Sequence, residues 1–107
     1  MKAMRHPSKG TTLRNDTCSE KLKVLADRTR LSVLRLLMRE PMHVGELMAA
    51  LTIDQSLLSH HLKVLRESGL VRATRDGKAV LYCLLRSSRE KRFSNYIDLG
   101  CCSLSFE

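Results

Sequence analysis

VGELMAALTIDQSLLSHHLKVLRESGLVRATRDGKAVLYCL, residues 44–84, is the stretch whose reading decides the fold. Val44, Leu47, Met48 and Leu51 recur at helical spacing, which predicts a short helix ending at Leu51. Thr52-Ile53-Asp54 then makes a turn, and the Asp54 carboxylate suits the N-cap of a second helix from Gln55 to about Glu67. Gly69 supplies the left-handed residue that commonly follows a helix. Beyond it, Leu70 to Thr74 and Ala79 to Leu84 are β-prone runs separated by Arg75-Asp76-Gly77-Lys78. Asp-Gly between such runs is a hairpin signal.

On a wheel of ~100° per residue, Leu58, Leu62 and Leu65 of the second helix fall on one side, with Gln55 and His61 at the flanks. Ser56, Ser59, His60 and Lys63 come out opposite. These groups are compact and polar or basic, so such a helix can lie in a major groove ~12 Å wide. Arg72, Arg75 and Lys78 crowd the hairpin, where cations reach a phosphate backbone. Helix, turn, polar-faced helix and basic hairpin together are the order of a winged helix-turn-helix. The fold expected is mainly α with a small β-hairpin. The candidate DNA contacts are Gln55, Ser56, Ser59, His60, Lys63, Arg72, Arg75 and Lys78. His60 and His61 point ~100° apart on a helix and cannot share one metal ion.

Working outward, residues 1–16 have no apolar periodicity and read as a flexible basic arm. Thr17 with Glu20 has capping-box spacing, and Leu22, Leu25 and Ala26 share one face of the helix that would follow. Asp27 can cap a further helix from Arg28 to about Glu40, which Pro41 ends. Its apolar residues lie nearly all round, which predicts a central buried helix. Residues 17–86 would form the DNA-binding unit and 87–107 a separate tail. Ser87 to Tyr96 offers little apolar face for a last helix, and Leu99 to Phe106 alternates weakly around Gly100.

The totals agree with this frame. A chain of 107 residues makes one domain with a modest core, and two Phe, two Tyr and no Trp leave that core to aliphatic side chains. Nineteen Lys and Arg against eleven Asp and Glu give a net charge of +8, which favours a polyanionic partner. No apolar run approaches the ~18 to 20 residues of a membrane span. The basic N-terminus lacks the apolar stretch of a secretory signal, so a cytoplasmic location is expected. There Cys18, Cys83, Cys101 and Cys102 are expected to be reduced thiols rather than a disulfide framework. No CxxC, Ser/His/Asp grouping, glycine-rich phosphate loop or paired carboxylates at helical spacing is present. The chain is therefore not expected to be an enzyme.

LADRTRLSVLRLL (25–37), VGELMAAL (44–51), SLLSHHLKVLRESGLVRA (56–73) and DGKAVLYCL (76–84) resemble the ArsR/SmtB family of homodimeric winged-helix repressors. Those proteins release operator DNA on binding metal or metalloid ions. The resemblance implies that the helix from Gln55 is the recognition helix and the hairpin the wing. It further implies that terminal helices make the dimer contact, that the tail serves dimerisation and sensing, and that the operator is an imperfect palindrome. Family members that sense through a cysteine pair in the third helix have thiols where this chain reads Glu46-Leu47-Met48-Ala49-Ala50-Leu51, so that location is excluded. Asp98 is a lone carboxylate with no His after it, which leaves no match to the ligands that zinc sensors place on their last helix.

The sulfur candidates remain. Cys101 and Cys102 are adjacent thiols suited to a soft, thiophilic ion. Trivalent arsenic or antimony needs three thiolates, and Cys18, expected at the first turn of a helix where a thiolate is favoured, is the third candidate. Cys83 reads as a half-buried wing residue. No cofactor is needed for the fold; the candidate inducer is As(III), Sb(III) or another soft metal ion. Two alternatives stay open: redox or persulfide sensing by the same thiols, and a winged helix that binds a protein partner without an inducer.

Overall fold

A computed structural model describes residues 18–85 and 96–106. The expected basic arm, the Thr17 half of the capping box and nearly all of the expected helix after Ser87 lie outside the described residues. In chain order the elements are α1 (18–25), α2 (Arg28–Arg39), β1 (Met42–His43), α3 (Val44–Leu51), α4 (Gln55–Glu67), β2 (Val71–Asp76), β3 (Ala79–Leu84), β4 (Tyr96–Asp98) and β5 (Ser103–Ser105).

Local chemistry sets these boundaries. The Asp27 carboxylate accepts from the Arg30 backbone N–H at 3.0 Å and starts α2. That bond, opposed in part by desolvation, holds the Asp27 carboxyl below its ordinary pKa. Asp54 does the same for α4, accepting from Leu57 N–H at 2.9 Å. After α4, Gly69 takes a φ of 77° and turns the chain into β2. These are the caps and the stop that the sequence predicts.

Val33, Leu34 and Leu37 of α2 pack with Leu47 of α3, Leu58, Leu62 and Leu65 of α4, and Val71, Tyr82 and Leu84 of the sheet. Leu31, Leu36 and Met38 are only half-buried and Arg35 is exposed. So α2 has one buried face instead of the all-round burial its composition predicts. The Arg35 guanidinium lies 5.0 Å from the centre of the Phe106 ring, which brings the chain end onto this helix.

The wing is a three-stranded antiparallel sheet of order β1-β3-β2. Asp76 pairs with Ala79, leaving Gly77-Lys78 as a two-residue loop. Gly77 has a φ of 67°, and Gly77 is thus the first central residue of the turn, not the second as the Asp-Gly signal suggests. β1 adds a short edge strand, with Met42 opposite Tyr82 and His43 opposite Leu81. Its two residues are too few to show a period in the sequence.

The described part of the tail, 96–106, is a hairpin. β4 and β5 pair antiparallel, and the Leu99 N–H donates to the Cys102 carbonyl at 2.8 Å across the connecting loop. The Gly100 N–H donates to Asp98 Oδ1 at 2.8 Å, and Gly100 has a φ of 90°. Ile97 and Leu99 are buried in the same core as the helices, so the described hairpin is packed into the domain. Among the described residues no helix is long and apolar enough to cross a membrane.

Candidate functional site

The two periodicities of α4 and the sheet place the polar residues. Leu58, His61, Leu62 and Leu65 turn α4 towards the core, while Ser56, Ser59, His60 and Lys63 are exposed on its other side and Gln55 is exposed at the flank of its first turn. In the wing, side chains alternate across the sheet. Val71, Ala73 and Arg75 share the face that meets the core at its base, and Arg72, Thr74 and Asp76 share the opposite face. Arg72 and Arg75 are therefore exposed on different faces. Arg72 Nη2 lies 3.8 Å from Cys83 Sγ on the outer face, whereas Arg75 extends the inner face towards the tip that Lys78 forms.

A second polar group, not anticipated from the sequence, fastens the wing. His43 on β1 and Asp76 at the end of β2 lie on the same face, on either side of β3. His43 Nε2 meets Asp76 Oδ2 at 2.7 Å, and its Nδ1 meets Glu46 Oε1 at 3.2 Å. Glu46 also accepts from the His43 backbone N–H at 2.7 Å, which caps α3. With a carboxylate at each nitrogen, the ring is best served as the imidazolium. Its pKa is raised, chiefly by the Asp76 hydrogen bond and then by Glu46. The Glu46 pKa is lowered, chiefly by the His43 backbone N–H. His43 and Glu46 have capping-box spacing; the contact with Asp76 leaves no signal, since 33 positions separate the two.

The three sulfur candidates meet. Cys18 opens the described part of α1, and Cys101 and Cys102 occupy the loop between β4 and β5. Their sulfurs all lie within 4.8 Å of one another. Cys18 and Cys101 form a disulfide with a Cα–Cα distance of 5.8 Å, and Cys102 Sγ lies 3.7 Å from Cys18 Sγ and 4.0 Å from Cys101 Sγ. This corrects the expectation of four unlinked thiols. The pair is 83 positions apart, so spacing cannot announce it. The tail hairpin brings Cys101 to α1, and Lys21 Nζ clamps the loop by donating to the Leu99 carbonyl at 2.9 Å. Cys18 is half-buried, while Cys101 and Cys102 are exposed. Cys83 is half-buried in the wing, apart from this cluster.

The donor set suits a soft ion once the disulfide is opened. Two sulfurs bound at ~2.3 Å to a tetrahedral ion stand ~3.8 Å apart. The Cys102 sulfur is already near that distance from both neighbours. In the disulfide form only Cys102 offers a thiol, so ligation by three thiolates requires reduction of Cys18–Cys101.

A profile of the arsR family of bacterial regulatory proteins matches residues 27–73. The chain is similar to the transcriptional activator HlyU of Vibrio cholerae, with 41% identity over 63 residues, 59% of this chain and 58% of that protein. It is also similar to the transcriptional repressor SmtB of Mycobacterium tuberculosis, with 39% identity over 69 residues, 64% of this chain and 51% of that protein. The chain thus spans little more than half the length of these curated relatives. Its fold matches the solved structure of Vibrio cholerae HlyU with a TM-score of 0.66 at 35% identity, covering 69% of this chain and 80% of the other. It likewise matches the homodimeric winged helix-turn-helix DNA-binding domain of a Mycobacterium bovis protein, at a TM-score of 0.68 and 27% identity, covering 78% and 75% of the two chains.

Proposed function

Since the chain belongs to the arsR family of bacterial regulatory proteins, regulators of transcription and not enzymes, we propose that it is a repressor that binds duplex DNA as a homodimer and lets go when its sulfur cluster is occupied. The exposed row of Gln55, Ser56, Ser59, His60 and Lys63 on α4 supports the DNA-binding half of this reading. The row is polar and basic, whereas a protein-binding winged helix would carry mainly acidic or apolar groups; the exposed exceptions on α4 are Leu57 beside the row and Glu67 at the C-terminal end. Arg75 and Lys78 would meet neighbouring phosphates from the wing tip. Arg72, on the other wing face, would serve as a phosphate contact only where the backbone curves around the sheet. A dimer holds two such helices about one DNA turn apart, ~34 Å. The related M. bovis domain is a homodimer, which supports the same assembly here.

The observation that carries the inducer assignment is the meeting of Cys18, Cys101 and Cys102 within 4.8 Å. Three thiolates at one point fit trivalent arsenic or antimony, or another soft metal ion, far better than a hard cation. The tail, residues 87–107, would then be the sensing segment. A second reading has its own support in the Cys18–Cys101 disulfide. In it an oxidant is the signal: peroxide converts one thiolate to a sulfenic acid with loss of hydroxide, and the neighbouring thiol displaces water to form the disulfide.

One titration separates the two. The reduced protein is bound to a duplex selected from a randomised pool, and the complex is titrated with arsenite, cadmium and peroxide. Arsenite is expected to release DNA from the wild type and not from Cys102→Ser. Peroxide release that survives Cys102→Ser but fails in Cys18→Ser would favour the redox reading. Release that persists in the triple Cys→Ser variant would refute both.

A further inference from the structure

Four contacts join the sulfur cluster to the inner side of α4. At one end of α1, Cys18 is bonded to Cys101, and Lys21, one turn on, donates to the Leu99 carbonyl at 2.9 Å. At the other end, the Val24 carbonyl accepts from Arg30 Nε at 2.7 Å. The same guanidinium reaches α4, where Nη1 lies 3.3 Å from His61 Nδ1. α1 is a rod of two turns, roughly 12 Å long at ~1.5 Å per residue. Its first half is tied to the tail and its Val24 carbonyl to α2.

We infer that Arg30 and His61 are positioning residues that transmit the state of the three sulfurs to α4. Three features of the pair fit that task. His61 is the one buried polar side chain in the core of the described residues, 8% exposed, and so it cannot touch DNA. A guanidinium only donates, so His61 Nδ1 must accept, which fixes the Nε2–H tautomer and the ring orientation. Arg30 spends its planar fork on two elements at once, a carbonyl of α1 and an imidazole of α4, which a lysine point charge cannot reproduce. Displacing α1 at Cys18 therefore pulls on the Val24 carbonyl, shifts Arg30, and reorients the ring that seats α4 opposite Ser59 and Lys63. Ligation of three thiolates and closure of Cys18–Cys101 place Cys18 differently relative to the tail, so each state of the cluster sets α4 differently.

The inference rests on the DNA-reading and sulfur-sensing roles proposed above, and its test keeps the two apart. Affinity for the selected duplex is measured with and without arsenite for the reduced wild type, His61→Leu and His61→Asn. Leucine fills the space without an acceptor, while the asparagine oxygen takes the place of Nδ1. The wild type should lose affinity roughly 5- to 150-fold with arsenite. His61→Leu should bind arsenite as the wild type does but lose little DNA affinity, and His61→Asn should recover most of the response. A purely structural role would change stability or DNA affinity equally with and without arsenite, leaving the ratio untouched, and that result overturns the relay alone. A wild type that ignores arsenite overturns the sensing role instead. The relay is then judged without DNA, by the 15N resonance of His61 Nδ1 on reducing Cys18–Cys101 with a dithiol. It should move in the wild type and stay fixed in Arg30→Met; a resonance that moves in neither, or equally in both, refutes the relay.

Discussion

Thr52 ends α3 with a φ of 52°, a left-handed backbone that a β-branched residue adopts at a penalty. The left-handed residue turns the following Ile53 N–H back to the Met48 carbonyl at 3.3 Å, so the conformation is what closes the turn between α3 and α4. Thr52→Gly should therefore raise stability by about 0.5 to 1 kcal/mol, because relief of the left-handed strain, about 1 to 2 kcal/mol, exceeds the added freedom of glycine in the unfolded chain. Urea unfolding of the two proteins checks the sign. Gly100 is the converse. Its φ of 90° suits glycine, and an added Cβ would meet only Lys21 Nζ at 3.8 Å, an ordinary contact. The penalty of Gly100→Ala is thus one of backbone conformation, about 1 to 2 kcal/mol, concentrated in the loop that presents Cys101 and Cys102. Urea unfolding should show that loss, and arsenite affinity should fall with it.

At the scale of elements, the wing depends on a strap that is made at both ring nitrogens only when His43 is charged. The folded pKa of His43 is raised above 6.5 by Asp76 and Glu46, so its contribution is fully present below 6.5 and disappears as pH rises through the higher folded value. The stability difference between wild type and Asp76→Asn should accordingly shrink from about pH 6 to about pH 9. The stability of His43→Gln should itself lack the pH dependence that this ring confers on the wild type. Equal pH profiles for all three proteins would dismiss the strap. This strap also marks where sequence reasoning stops. α3, α4 and the hairpin were legible because local rules write them: apolar spacing from Val44 to Leu51, the Asp54 cap, Gly69, and Gly77 between β-prone runs. β1 was not, because Met42 and His43 gain strand character only by pairing with β3. The tail hairpin was hidden for the same reason, since Ile97 and Leu99 become core residues only by packing into the cluster they share with the helices and the wing. Of the site, the exposed face of α4 followed from its wheel and the meeting of three sulfurs from soft-ligand chemistry. The disulfide, the Arg30–His61 contact and the split of Arg72 from Arg75 needed the third dimension.

For the molecule as a whole, Cys18–Cys101 closes a loop 83 positions long, nearly all of the folded domain. Constraining an unfolded chain over such a loop is worth up to ~4 to 5 kcal/mol in the chain-entropy account, a large share of the ~5 to 15 kcal/mol that holds a domain folded. The oxidised protein should therefore unfold at distinctly higher urea than the reduced one. The three cysteines should divide in this test. Cys18→Ser and Cys101→Ser should abolish the difference between oxidised and reduced protein, because each removes a bridge partner. Cys102→Ser should retain it, since Cys102 is a free thiol in the bridged state, yet should lose arsenite binding, which needs the third sulfur. If Cys102→Ser instead erased the oxidative stabilisation, the bridge would run through Cys102. The exposed Cys101 would then be the free thiol, and the roles of the adjacent pair would be exchanged.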